Sequence, residues 1–449
     1  MDIKKIIQDY KEEAFKLLAD LISCESVLDE YRPNSDIPFG SETKKALDIL
    51  LAKASNDGFI TKNVDNYAGY IEFGSGDEIL GILAHLDVVP VVKEEWDSYP
   101  FSLTFKDDRM YARGVLDDKG PLVASYIAMK ILKDNGFNPN KRVRLIAGCD
   151  EESGSRCLER YLEKEEKPTL GFSPDAEFPV IFGEKGMISF DIKGSLDGDI
   201  ITDFVCGERY NIVPSSAKCK LSIDLSKEFA NFLKENNYKG EIIDGYYIAY
   251  GKASHAMCPE KGINACYILF DFLNKYSDSK LAKFVNEYFL FDTTGKKLGI
   301  DIYDEEMKYL TCNFALCNTK NNEFTIGVNC RVPLDSQFEV IDKNVINAVN
   351  KYGYSYSVVS KSLRHYVNPK GELVKTLMAI YSEVTNDYET KPFTIGGGTY
   401  AREIGTAVAY GPTLVGREDV CHIANEYMYL EDFFTSIEIY TKAIYELTK

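Results

Sequence analysis

The order of apolar runs predicts an α/β domain with a mostly parallel sheet flanked by helices, interrupted by an inserted α+β domain. Three observations carry this. EILGILAHL is a short continuous apolar run, the pattern of a strand buried on both faces. PLVASYIAMKILKDNGF then places apolar residues at helical spacing and stops at Asn-Gly, and KRVRLIAGC returns to the buried-strand pattern. Strand, helix, strand in this order implies parallel pairing across a helical crossover. Third, the texture changes near Glu184 and returns near Pro369.

In chain order, Ile6, Ile7, Tyr10, Phe15, Leu18, Leu21 and Ile22 predict an amphipathic first helix, which is not a signal peptide. The strand-helix-strand unit follows, and TLGFSPDAEFPVIF contains a further strand. From Glu184 on, GMISFDIKGSLDGD and SAKCKLSIDLS read as strands of alternating polarity, KEFANFLKENN and GINACYILFDFLNKY as helices. EFTIGVNCRVPLD is another strand, and VIDKNVINAVNKYGYSYSVVS a helix leading into one. This implies a half-exposed antiparallel sheet. GELVKTLMAIYSEVTN, AVAYGPTL and a last helix restore the α/β texture. The expected domains are 1–183 and 367–449 for the α/β part and 184–366 for the insertion.

The 449 residues carry 70 acidic against 52 basic side chains, a net charge of −18. Such a chain repels phosphate backbones, so nucleic acid is not an expected partner. No apolar run approaches the roughly 20 residues that span a bilayer, so no membrane association is expected. The 11 cysteines are scattered and form no CxxC pair. They read as reduced thiols of a cytoplasmic protein.

The chain has four histidines, and His85 closes the EILGILAHL run with Asp87 two residues later. Residues two apart in a strand face the same way, so Asp87 can accept a hydrogen bond from one ring nitrogen and leave the other for a metal. Alone, such a pair is more often structural. Asp117 and Asp118 in ARGVLDDKGP alone could form a turn. Asp150, Glu151 and Glu152 follow the KRVRLIAGC strand directly, where open α/β sheets place ligands. Asp175 in FSPDAEFP and His422 in DVCHIANEYM complete the set. These five clusters are expected at the ends of parallel strands. Two histidines with several carboxylates suit a pair of divalent ions such as zinc or manganese about 3.5–4 Å apart, sharing one carboxylate. Glu151 and Glu152 cannot point the same way, so one can bind metal while the other takes a proton from water. The set points to a dinuclear hydrolase.

The stretches HLDVVP, WDSYPF, RGVLDDKGP, DEESGS, SPDAEFP, SHAMCPEKGINA, NCRVPLD and GGGTYAR, with His422 at the end, resemble in order the dinuclear zinc peptidases. That family includes carboxypeptidase G, aminoacylase, acetylornithine deacetylase and succinyl-diaminopimelate desuccinylase. Within it the chain is most similar to the bacterial dipeptidase V group of Xaa-His dipeptidases, related to carnosinases. The resemblance implies a zinc-peptidase-like catalytic domain with the insertion as a lid. It implies that His85 and Asp175 bind one metal, Glu152 and His422 the other, and that Asp117 bridges them. It further implies a cis Asp117–Asp118 peptide, Asp87 orienting His85 and Glu151 as general base. His255 would polarise the scissile carbonyl, Arg331 and Asn211 would hold the substrate carboxylate, and Gly397 in GGGTYAR would line the site. His365 is left a structural role.

The cofactors so implied are two divalent ions per chain, zinc first, manganese or cobalt possible. The implied substrate is a short unblocked peptide, a dipeptide such as Xaa-His or β-Ala-Xaa. The lid's length implies a monomer, with a homodimer possible. Two alternatives remain: an N-acyl amino acid deacylase of the acetylornithine or succinyl-diaminopimelate type, and a catalytically silent metal-binding protein. Ala112 replaces the family's usual glycine before Arg113-Gly114, and Val415-Gly416 its usual Pro-Gly; neither is an expected ligand.

Overall fold

The computed structural model describes residues 3–449, which pack as two compact units. The first comprises the chain up to residue 183 with 366–393 and 398–449; the second comprises 184–365 and 394–397.

Four parallel strands form the heart of the first unit. Ile79–His85 lies between Arg142–Gly148 and Leu170–Ser173, and Ala407–Ala409 pairs with the far side of Leu170–Ser173. The sheet is mixed at its flanks, because Ala68–Phe73 pairs antiparallel with Arg142–Gly148 and forms a hairpin with the edge strand Ile60–Val64. Ile181–Glu184 meets Ala407–Ala409 antiparallel as well. Every residue of Ile79–His85 is buried, as expected of a strand covered on both faces.

Helix Lys119–Asp134 is buried almost all round. It packs against Leu430–Thr448 and against Ile3–Ile22, which explains why its apolar residues do not keep to one stripe. Its second residue must be small, since a Cβ on Gly120 would lie 1.9 Å from the Val115 carbonyl oxygen. The loop that carries Asp117 is therefore pressed directly onto the helix that follows it.

The second unit is an eight-stranded antiparallel sheet. Its order is Lys239–Ile243, Tyr246–Tyr250, Ser216–Leu221, Ile201–Cys206, Thr311–Lys320, Glu323–Val332, Gly186–Ser195 and Ser355–Ser362. Helices Ala265–Tyr276, Lys280–Tyr288 and Phe338–Tyr352 supply a second core rich in Phe and Tyr. Alternating burial along Ser216–Leu221 matches a sheet with one covered face. The register sets Met187 opposite Arg331.

Candidate metal centre

His85 is the last residue of its strand and is fully buried. Its Nε2 lies 3.0 Å from Asp117 Oδ1 and 3.6 Å from Asp175 Oδ2. His422 Nε2 lies 2.9 Å from Asp117 Oδ2 and 3.2 Å from Glu152 Oε2. Asp117 thus presents one oxygen to each imidazole. Two ligand groups result, His85–Asp117–Asp175 and Asp117–Glu152–His422, each with its donor atoms within 4.8 Å of one another. The Asp117–Asp118 peptide is cis.

The elements that position these side chains differ from the expected strand ends in two cases. His85 ends a parallel strand, Glu151 and Glu152 follow the next, and Asp175 lies two residues past Leu170–Ser173. Asp117 instead comes from the loop before helix Lys119–Asp134, and His422 from the irregular segment before Tyr427–Tyr429. His422 has φ 64°, a left-handed backbone that a regular element would not provide.

Asp87 departs from expectation in detail. The close partner of His85 Nδ1 is the Asp87 backbone carbonyl at 2.9 Å, while the carboxylate stands at 3.5 Å. The strand has ended at His85, so period-two alternation no longer governs. The Asp87 carboxylate accepts the backbone N–H groups of Glu151 and Glu152, both at 3.0 Å. It fixes the turn that bears the two glutamates. Asp150 closes the base of the same turn through a bidentate pair with Arg156 at 2.6 and 2.7 Å, so its carboxylate is taken.

The electrostatics follow from crowding carboxylates around two imidazoles. Burial lowers the pKa of His85, but Asp117, Asp175 and Asp87 overcome it and drive the ring well above its usual value. Burial is likewise overcome at His422, where Asp117 and Glu152 push the ring to about 11. Burial raises Asp117, yet hydrogen bonds from His422 and His85 hold it well below the ordinary carboxylate range. Glu151 rises well above its usual value through burial and the charge of Asp175. Glu152 rises to about 7 through burial and Asp117, against the pull of His422. Burial and Asp175 do the same to Asp118.

The donor set fits divalent cations on two counts. Carboxylate and imidazole are the usual ligands of zinc and manganese. Glu152 Oε1 and Asp118 Oδ1 are buried without a hydrogen-bond partner, and buried polar atoms seldom stay unpaired. Glu152 Oε1 has a cation as its natural partner.

The other expected site residues belong to the second unit, which gathers them. His255 is exposed, its Nδ1 accepts the Met257 N–H at 3.1 Å, and it bridges Ile212. The Asn211 carbonyl accepts the Ala256 N–H at 2.9 Å. Arg331 is buried on its strand and donates to Asn329 Oδ1 at 2.8 Å and to the Gly396 carbonyl at 3.0 Å. Gly396 and Gly397 run beside Met257, and a Cβ on Gly396 would lie 2.7 Å from Met257 Cβ. His365 is buried. Sequence reasoning gave no role to Glu426 or Arg156, and took Tyr400 only as part of GGGTYAR lining the site. Tyr400 meets Cys157 Sγ at 2.8 Å through its hydroxyl and stands edge-on to His85. It fills the space where Gly148 lacks a side chain.

Residues 81–446 match the description Peptidase family M20/M25/M40. A Staphylococcus aureus (strain MRSA252) chain named "Putative dipeptidase SAR1836" is 39% identical over 466 aligned residues, covering 99% of each chain. Human carnosine dipeptidase 1 superposes with a TM-score of 0.61 at 17% identity, over 99% of this chain and 98% of that one. The Saccharomyces cerevisiae di-peptidase Dug1p gives a TM-score of 0.60 at 15% identity, with the same shares covered. At these identities the two structures speak for the fold.

Proposed function

The chain belongs to peptidase family M20/M25/M40, and from that membership we propose that it is a metal-dependent dipeptidase acting on short unblocked peptides. The family makes it a peptide-bond hydrolase, and the name of the 39% identical relative supports the dipeptidase reading. The observation that carries it is the single carboxylate of Asp117 facing both His85 and His422. His85 and Asp175 would hold one divalent ion, Glu152 and His422 the second, with Asp117 between them. Zinc is the first choice, with manganese or cobalt possible. When bound, such ions lower the pKa of a water and polarise the amide carbonyl.

The chain's own groups do the rest. Glu151 takes a proton from the attacking water on its carboxylate and delivers it to the departing amine nitrogen. Asp87 holds the Glu151 and Glu152 backbone in place. His255 steadies the carbonyl oxygen as it gains charge. Arg331 grips the substrate carboxylate, for which a guanidinium fork is well shaped, with Asn211 and Gly397 completing that grip. No helix among the described residues is long and apolar enough to cross a membrane, and the cysteines are free thiols, which supports a reducing, cytoplasmic setting. We take the monomer as the working unit.

Two measurements test this. Metal analysis of the purified protein is paired with hydrolysis of a dipeptide panel against N-acetyl and N-succinyl amino acids; preference for the acylated compounds would make it a deacylase. Glu151→Ala should keep its metal content while kcat falls by about 10²–10⁴-fold. Retained turnover removes Glu151 from the base role.

A further inference from the structure

Glu426 lies four residues after His422 and is fully buried. Its Oε1 accepts backbone N–H groups from Leu116 at 2.8 Å, Gly114 at 3.1 Å and Asp117 at 3.2 Å. Its Oε2 accepts from the Arg113 guanidinium at 2.7 Å and again from Gly114 at 3.2 Å. The Glu426 backbone carbonyl takes the Ala112 N–H at 3.2 Å. Arg113 in turn donates to the Ile423 carbonyl at 3.2 Å, beside His422, and lies over the Trp96 ring. One carboxylate therefore laces the loop that ends in Asp117 to the loop that begins at His422.

We infer that Glu426 is a positioning residue that sets His422 against Asp117, and through them the Asp117–Glu152–His422 group in preference to the His85 group. The inference rests on the metal-centre reading. Its physical basis is an asymmetry of support. His85 is fixed by the parallel ladder and Asp175 follows directly from a strand of the same sheet. His422 and Asp117 have no such ladder, and buried N–H groups at 114, 116 and 117 need an acceptor from elsewhere. Glu426 supplies it for all three. Partners beyond the ligands that orient them alter metal affinity by about 10–100-fold when lost.

The test uses the full chain and zinc itself. Chelator competition is run on the wild type, on Glu426→Gln, which keeps an acceptor oxygen but loses the charge facing Arg113, and on Arg113→Gln, which weakens the same clamp from the other side. The expected result is two zinc ions in the wild type. Because Asp117 is shared, each variant should bind both ions more weakly, one of them by about 10–100-fold and the other by a clearly smaller factor. Unfolding of the metal-free proteins is measured alongside. Equal weakening of both ions, or no change in either, overturns the inference, and so does failure of both variants to fold, since Glu426 would then serve the fold alone. A wild type that binds fewer than two zinc ions sinks the metal-centre reading itself and is thereby distinguished.

Discussion

In the first unit buried carboxylates crowd around His85, whereas in the second unit two buried cations, Arg331 on its antiparallel strand and Lys185 between two strands, lie within reach of each other's charge. Asp87, Asp117 and Asp118 are buried around His85. Arg331 and Lys185 are buried in the second unit, close enough that the Arg331 charge helps lower the Lys185 pKa, with Glu260 opposing. Crowded carboxylates call for a cation, and neighbouring cations suit an anion such as a peptide carboxylate. The two units also differ in what holds the groups. Parallel strands end on one side of the sheet and point their successors together. An antiparallel register places single residues, as it places Arg331 against Met187.

The largest expected effect tests the anionic side. Asp117 faces both imidazoles, so Asp117→Ala should abolish binding of both metal ions together. It should also reduce dipeptide hydrolysis to near background, a fall of at least about 10⁴-fold given the size of enzymatic rate enhancements. Metal content and kcat measured on one preparation check this. A variant that keeps two ions would mean Asp117 is not shared, and the two ligand groups would be independent.

How far the sequence reveals these arrangements depends on where each group comes from. His85, Glu151, Glu152 and Asp175 were legible because buried apolar runs announce strands, and the residues just past such runs converge. Asp117 and His422 were picked out by residue type alone, and their roles came only through ordered motif resemblance, since each sits in an irregular loop that no periodicity marks. Asp87 stands beside His85 as its spacing suggested, but with its backbone carbonyl nearer the ring than its carboxylate, because alternation holds inside a strand and this strand stops at His85. Glu426 left no signal at all. Its partners are the Arg113 guanidinium and backbone N–H groups about 310 positions away in sequence, such as Gly114 at a separation of 312, and backbone donors have no residue type to recognise. The mixed flanks of the first sheet were hidden for a similar reason. Ala68–Phe73 is buried throughout and reads like any other covered strand, so its direction cannot be seen in composition.

A smaller effect tests the cationic side. Arg331→Lys keeps the charge but loses the fork that reaches Asn329 and Gly396. The expected outcome is a KM raised about 10-fold for dipeptides, the equivalent of about 1.4 kcal/mol, with kcat within about 3-fold of wild type. Initial-rate kinetics on a single dipeptide separate the two constants. A fall in metal content or in kcat alone would break the division of labour between the two charge clusters, because the loss would then have reached the carboxylates.

The smallest effect compares two buried lysines, one in each unit. Lys119 Nζ donates to the Leu21 and Cys24 carbonyls where the first helix ends, and burial lowers it to about 8. Lys185 Nζ donates to the Tyr309 carbonyl, and burial lowers it to about 8 as well. For Lys185 the folded pKa lies below the ordinary 10.5 of the unfolded chain. Between about 8 and 10.5 the unfolded state binds more protons, so this group's contribution to stability rises with pH across that window and levels off above it. Below about 8 both states are protonated, and the buried charge carries a desolvation cost that the Tyr309 carbonyl and Glu260 offset in part. Lys185→Met removes that cost. The variant should therefore be more stable than wild type at pH 7, by on the order of 1–3 kcal/mol, and lose that advantage as pH climbs towards 10. Urea midpoints of both proteins at pH 7, 8, 9 and 10 give the slope. A difference that stays flat with pH would mean that burial does not depress Lys185, and the contrast in charge between the two units would lose half its ground.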